Sequence, residues 1–230
     1  MMEYGTICVI LPTLNEEPTI GKVIDEIPRA ELEKAGYRVQ VLVVDGCSTD
    51  RTIEIAQSRG VRVIIEPRRG KGRAMRTGFD AVKADYVFML DADYTYPATY
   101  IPEMLELLKK YPAVIGSRLR GTREDGSMRR LNTVGNYGLT WLANILYLTW
   151  ISDLCTGYWG FRGDVIKNLH LTSEGFQLEA ELLIQLRKNG YKIGELPVNY
   201  RCREGKAKLS GLKDGIAIAR FLILQRFSKT

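Results

Sequence analysis

Asp91 and Asp93 stand one residue apart at the end of an apolar run, Tyr-Val-Phe-Met-Leu at residues 86–90. Such a run, followed by turn-forming residues, predicts a buried strand of a parallel sheet. Side chains alternate along a strand, so both carboxylates are expected to point the same way where it ends. Paired hard oxygen donors suit a divalent cation, Mg²⁺ or Mn²⁺, that carries phosphates. The carboxyl edge of an open α/β sheet is also where its ligands bind. An isolated Asp-x-Asp is just as often a solvated turn, so its surroundings decide.

The surroundings are polar at three more predicted strand ends. Residues 7–12 form a first apolar strand followed by Thr-Leu-Asn-Glu-Glu at 13–17. Residues 39–44 form a second, followed by Asp-Gly-Cys-Ser-Thr-Asp at 45–50. A third, 61–65, leads into Pro67-Arg-Arg-Gly-Lys-Gly-Arg73, a basic glycine-rich loop. It lacks the glycine and hydroxyl spacing of a Walker loop, and no G-x-G-x-x-G follows the first strand. Its place on the same rim favours contact between Lys71 or Arg73 and a diphosphate. His170, the single histidine, is expected at an exposed helix end. Zinc and a Ser-His-Asp triad are therefore disfavoured.

The elements that must hold these residues alternate. Helices are expected from about residue 18 to 27, from about 50 to 59, to about 83 and over 97–110, with a further strand at 113–117. Asn15 is a plausible cap of the first. Ser48, Thr49 or Asp50 caps the second. The β-α-β-α-β-α-β-α-β order predicts a parallel, doubly wound α/β sheet in the first 118 residues. Residues 119–130 are charged and glycine-rich. A helix over 131–150 carries Asn132, Asn136, Thr140 and Asn144 at four-residue spacing, with Trp and Tyr among its other residues. That composition fits either packing on the sheet or lying against lipid. A Gly/aromatic turn and strand over 153–162, a helix over 176–188, a strand over 191–200 and an apolar helix over 211–227 complete the chain.

The formal net charge of +6 is local, because residues 201–230 alone carry that excess. No stretch offers the roughly 18 apolar residues of a spanning helix. The last helix is long enough to dock at a bilayer surface, its arginines reaching headgroups. Cys8, Cys47, Cys155 and Cys202 are widely spaced without a CxxC pair. Reduced thiols, a cytosolic setting and no leader segment are the expectation.

In this order the motifs resemble family-2 glycosyltransferases of the GT-A fold, and more closely the dolichol-phosphate (polyprenyl-phosphate) mannose synthase group. They are Leu11-Pro-Thr-Leu-Asn-Glu16, Val43-Val-Asp-Gly-Cys-Ser-Thr-Asp50, Gly70-Lys-Gly72, Asp91-Ala-Asp93, Gly116-Ser-Arg118, Thr156-Gly157 with Gly160-Phe-Arg162, and Gly205-Lys-Ala-Lys-Leu-Ser210. The resemblance implies a mostly parallel central sheet with helices on both faces and a C-terminal amphipathic membrane-interface helix. Residues 1–210 would be the catalytic domain, with a nucleotide-sugar half at 1–118 and an acceptor half at 119–210. Residues 211–230 would be the interface helix.

By the same resemblance Pro12, Leu14, Glu16, Val43, Asp45, Lys71, Arg73, Asp91, Ala92 and Asp93 would contact the nucleotide sugar. Asp91 and Asp93 would hold the metal and act with Arg118 in catalysis. Arg118, Arg129, Arg130, Arg201, Arg203 and Lys208 would meet phosphates, chiefly the acceptor's. Departures include Asp45-Gly46 where the family has paired Asp, Thr95 where it often has Gln, and Lys206-Ala-Lys208 for Glu-Ser-Lys.

The implied reaction is metal-dependent, inverting transfer of a hexose to dolichyl or polyprenyl phosphate. GDP-mannose is the favoured donor, with UDP-glucose and UDP-GlcNAc as alternatives. Peripheral attachment to the cytoplasmic face of the membrane is implied, and no nucleic acid. Two other readings stay open: the same fold acting on a soluble or protein-linked acceptor, and a non-catalytic basic binding module. Were the acceptor a hydroxyl, Glu179 or Glu181 would be the base candidates, although helix-surface glutamates are commonly just solvated.

Overall fold

The computed structural model describes residues 5–205 and 211–228. Its strands are β1 (Gly5–Thr13), β2 (Tyr37–Asp45), β3 (Arg62–Ile65), β4 (Tyr86–Met89), β5 (Ala113–Ser117), β6 (Trp159–Arg162) and β7 (Ile193–Pro197). They form one sheet in the order β3-β2-β1-β4-β6-β5-β7. The pairs β1–β2, β1–β4 and β2–β3 are parallel, as is β5–β7. β6 runs antiparallel between β4 and β5. The expected parallel run through residue 117 is thus interrupted: β5 leaves the place beside β4 to a strand from later in the chain.

The helices are α1 (Ile20–Glu26), α2 (Arg29–Lys34), α3 (Thr52–Ser58), α4 (Lys71–Ala81), α5 (Ile101–Leu108), α6 (Arg130–Tyr147), α7 (Gly163–Ile166), α8 (Leu178–Lys188) and α9 (Gly211–Phe227). They cover both faces of the sheet, because strand alternation splits the core in two. Ile7, Val9 and Leu11 of β1 pack with α1, α3 and α5. Cys8 and Ile10 pack with α4, α8 and parts of α6 and α9.

One of the two expected caps is not found. α1 begins after Thr19, and Asn15 instead adopts a left-handed backbone with φ 51°. From there its side-chain oxygen accepts the Thr49 N–H at 2.8 Å, stitching the loop after β1 to the loop after β2. Asp50 does act at the start of α3, accepting from the Thr52 backbone N–H and hydroxyl.

The polar stripe of α6 faces inward. Thr140 accepts the Leu154 N–H at 3.0 Å, and the Asn144 amide bonds both backbone groups of Ile151. The opposite face exposes Leu131, Val134, Tyr137, Trp141 and Ile145, with Leu148 and Trp150 just beyond it. Beside α6 lies α9, roughly parallel: Gly211 sits against Asn132, and the Tyr147 hydroxyl donates to the Leu222 carbonyl at 2.7 Å. α9 buries Ile218 and Leu222 in the core while exposing Leu212, Ile216, Ile223, Leu224 and Phe227. It is therefore part of the folded body and not an appended arm. No helix among the described residues is long and apolar enough to cross a membrane.

Candidate active site

Parallel pairing brings the predicted strand ends to one rim. Thr13 lies beside Asp45, and Asp45 beside Ile65. Asp91 and Asp93 follow β4 on the same side, in the turn beyond Met89. Side-chain bonds lock the first two loops together. Ser48 Oγ accepts the Asn15 N–H at 2.7 Å, and Thr52 Oγ1 accepts that of Glu16 at 2.8 Å. Asp50 accepts from the Glu17 N–H.

Each of the paired aspartates is met by a cation from a distant part of the chain. The Lys71 Nζ lies 2.6 Å from Asp91 and 2.6 Å from Glu179. Burial alone would push the Lys71 amine down, but the two carboxylates outweigh it and hold it above its ordinary range. Burial pushes the Glu179 carboxyl up; Lys71 opposes this and the Asp91 charge adds to it. Asp91 is confined from the other side by Gly157, where a Cβ would stand 2.0 Å from the carboxylate. Any larger residue at 157 would push the Asp91 carboxylate out of its present position.

Asp93 is buried, with Thr95 donating its N–H and hydroxyl to Oδ1. The Arg203 Nη1 donates to Asp93 Oδ2 at 2.7 Å, while Nη2 donates to Glu16 at 2.9 Å. Arg203 belongs to a strap, residues 200–205, laid across this turn. The Arg201 guanidinium stacks on Tyr94 at 4.3 Å and pairs with Glu26. Its backbone N–H bonds the Thr95 carbonyl, and Lys22 pairs with Glu204. Tyr94 itself holds φ 62°, a costly conformation for a tyrosine that the strap helps to fix.

Several residues expected at the ligand are otherwise engaged. Val43 is fully buried, its side chain packed in the core. Asp45 is also fully buried and accepts from Thr13 and twice from Ser48, so its carboxylate shapes the loop from within. Arg73 turns to Glu174. Arg118 is buried, and Asp153 takes its Nε, Nη2 and backbone N–H. Arg201 is tied to Glu26 as above. Ala92 is buried and offers its carbonyl to Thr19. Pro12 and Leu14 stay half-buried on the rim, and Arg129 and Arg130 are exposed at the start of α6. Lys208 lies outside the described residues.

The solvated reading of Glu179 and Glu181 does not hold, since both are buried. Glu181 caps residues 172 and 173 through three hydrogen bonds, and only Glu179 reaches the site. Asp153 and Glu26 escaped notice in the sequence, being lone acids whose arginines are 35 and 175 positions away.

The donor set fits a hard cation. Asp91 and Asp93 offer carboxylate oxygens only. That suits Mg²⁺ or Mn²⁺ completed by substrate phosphates. Replacing Lys71 by Met should leave two acids facing each other and destabilise the fold by about 3–5 kcal/mol. Adding Glu179→Gln should recover part of that loss, read as coupling in urea denaturation. Additive effects would show that the pair does not interact.

Residues 8–169 match the model of the family described as Glycosyl transferase family 2. The chain is 37% identical over 228 residues to glycosyltransferase AglJ of Haloferax volcanii, spanning 97% of this chain and 72% of that protein. It is 37% identical over 226 residues to a dolichyl-phosphate hexose transferase of the same organism, spanning 97% and 96%. Glucosyl-3-phosphoglycerate synthase from Mycobacterium tuberculosis, solved with Mn²⁺, UDP-glucose and phosphoglyceric acid, superposes with TM-score 0.72 at 25% identity. That match covers 96% of this chain and 79% of the other.

Proposed function

The chain belongs to glycosyl transferase family 2 and is a glycosyltransferase of GT-A fold, and from that premise we propose that it transfers a hexose from a nucleoside-diphosphate sugar to a polyprenyl phosphate, inverting the anomeric carbon. The observation that best supports a lipid acceptor is the outward apolar face of α6 and α9. A relative named dolichyl-phosphate hexose transferase, matched over nearly its whole length, adds to it.

Asp91 and Asp93 would hold a divalent cation and through it the diphosphate, and a bound Mg²⁺ or Mn²⁺ would neutralise charge on the departing diphosphate. Lys71 adds a fixed positive charge beside Asp91, kept in place by Glu179. Glu16, Pro12 and Leu14 border the nucleotide. Arg118, braced by Asp153, and the exposed Arg129 and Arg130 face the acceptor half. A phosphate acceptor is already an anionic nucleophile, so the step needs no general base. This agrees with a Glu179 carboxylate committed to Lys71.

The test is a panel of radiolabelled GDP- and UDP-hexoses incubated with polyprenyl phosphate and Mg²⁺ or Mn²⁺, followed by organic extraction. Label from one donor should enter the organic phase and be lost with EDTA. Label moving only to soluble glycans would replace the lipid acceptor by another.

A further inference from the structure

Arg203 bridges two acids that the proposed reaction assigns to different parts of the donor, Asp93 to the metal–diphosphate and Glu16 to the nucleotide. It lies between the loop after β1 and the turn after β4, where the donor must enter. Asp93 has no other carboxylate oxygen to spare, because Thr95 holds Oδ1. A divalent cation on Oδ2 would meet the guanidinium at close range, with like charges repelling in a half-buried setting. We infer that Arg203 is an exchangeable counter-ion: it neutralises Asp93 and Glu16 until a metal–nucleotide complex takes Asp93, and is then released towards the acceptor phosphate.

The strap is built for such an exchange. Arg201 and Glu204 fasten it independently of Asp93, through Glu26 and Lys22. Arg203 can thus leave its acids while its neighbours stay anchored. The Arg203 Nε is buried and finds no hydrogen-bond partner among the described residues, so its present placement leaves that donor unsatisfied there. Beyond the strap the chain continues to α9, whose outer face is apolar. An arginine freed here lies on the segment leading to the proposed lipid surface. Donor binding would thereby create part of the acceptor site, and the order of binding would be donor first.

The inference rests on the metal-dependent reading above, and the experiment separates the two. Mn²⁺ alone is titrated against wild type, Arg203→Gln, Arg203→Lys and Glu204→Gln, following free Mn²⁺ by electron paramagnetic resonance; melting temperatures are taken with and without Mn²⁺. Arg203→Gln should bind Mn²⁺ about tenfold more tightly than wild type, with a larger Mn²⁺-induced rise in melting temperature. Arg203→Lys, unable to span both acids, should fall between, and it serves if the Gln variant does not fold. Glu204→Gln, which leaves the Arg203–Asp93 pair in place, should gain far less Mn²⁺ affinity than Arg203→Gln. Wild-type Mn²⁺ binding with no gain in either Arg203 variant would overturn the exchange alone. Absence of Mn²⁺ binding in every protein, even with GDP or UDP added, would overturn both it and the metal reading.

Discussion

Asp93→Asn is expected to cut hexose transfer at least about a thousandfold, equivalent to about 4 kcal/mol of transition-state stabilisation. Asp93 is the more enclosed of the two aspartates, its side chain 8% exposed against 27% for Asp91. An amide there keeps an acceptor for Thr95 but turns an N–H₂ group towards the Arg203 guanidinium. It therefore loses both the charge that a divalent cation needs and the ion pair that stands in this structure. Stability should fall by about 1–3 kcal/mol, the cost of one mismatched buried polar contact. The fold should survive, because neither core cluster is touched. Turnover assays of the purified variant across Mg²⁺ and Mn²⁺ concentrations, beside its melting curve, read both effects. Wild-type turnover in Asp93→Asn, or an EDTA-treated native enzyme that works unchanged, would remove the metal from the mechanism.

The rim was legible in the sequence because its signals are local. Each strand is an apolar run broken by Asp, Asn, Gly or basic residues, and parallel pairing puts all such breaks on one side. What fills the rim was not legible. Arg203 and Asp93 are 110 positions apart, and nothing near either residue marks the other as its partner. The same holds for Arg118, whose brace Asp153 lies 35 positions further along the chain. The insertion of β6 between β4 and β5 depends on competition among edges, which periodicity does not encode. α6 shows the limit most clearly. Four-residue spacing identified its polar stripe, but a stripe defines a face without saying which face meets solvent. Here Thr140 and Asn144 satisfy the backbone of residues 151 and 154, and the apolar side is left outside.

That inverted helix leads to the membrane prediction. Large apolar side chains on α6, α9 and the segment after α6 form an exposed surface, with Trp141 at 67%, Trp150 at 94%, Ile216 at 61% and Phe227 at 75% exposure. Arg129, Arg130, Lys213, Arg220 and Arg226 are exposed on or beside the same helices. Deleting α9 would not test this surface cleanly, because Ile218 and Leu222 belong to the core. Changing Trp141, Trp150, Ile216 and Phe227 together to Ser leaves the core intact, and stability should stay within about 0.5 kcal/mol per site. Each side chain inserted part-way into an interface contributes roughly 1 kcal/mol, below the 1.5–3 kcal/mol of full burial. The four together should lower vesicle partitioning by about a thousandfold. The basic residues add about 1 kcal/mol each near anionic lipid, a contribution that salt screens over a Debye length. Wild-type binding should therefore weaken with salt without disappearing, since apolar insertion resists screening. Flotation with phosphatidylcholine–phosphatidylglycerol vesicles at two salt concentrations checks both statements. Transfer to a short, water-soluble prenyl phosphate should persist in the variant while transfer to a long chain in vesicles falls. A quadruple variant that floats like wild type would mean that the apolar face of α6 and α9 meets something other than lipid.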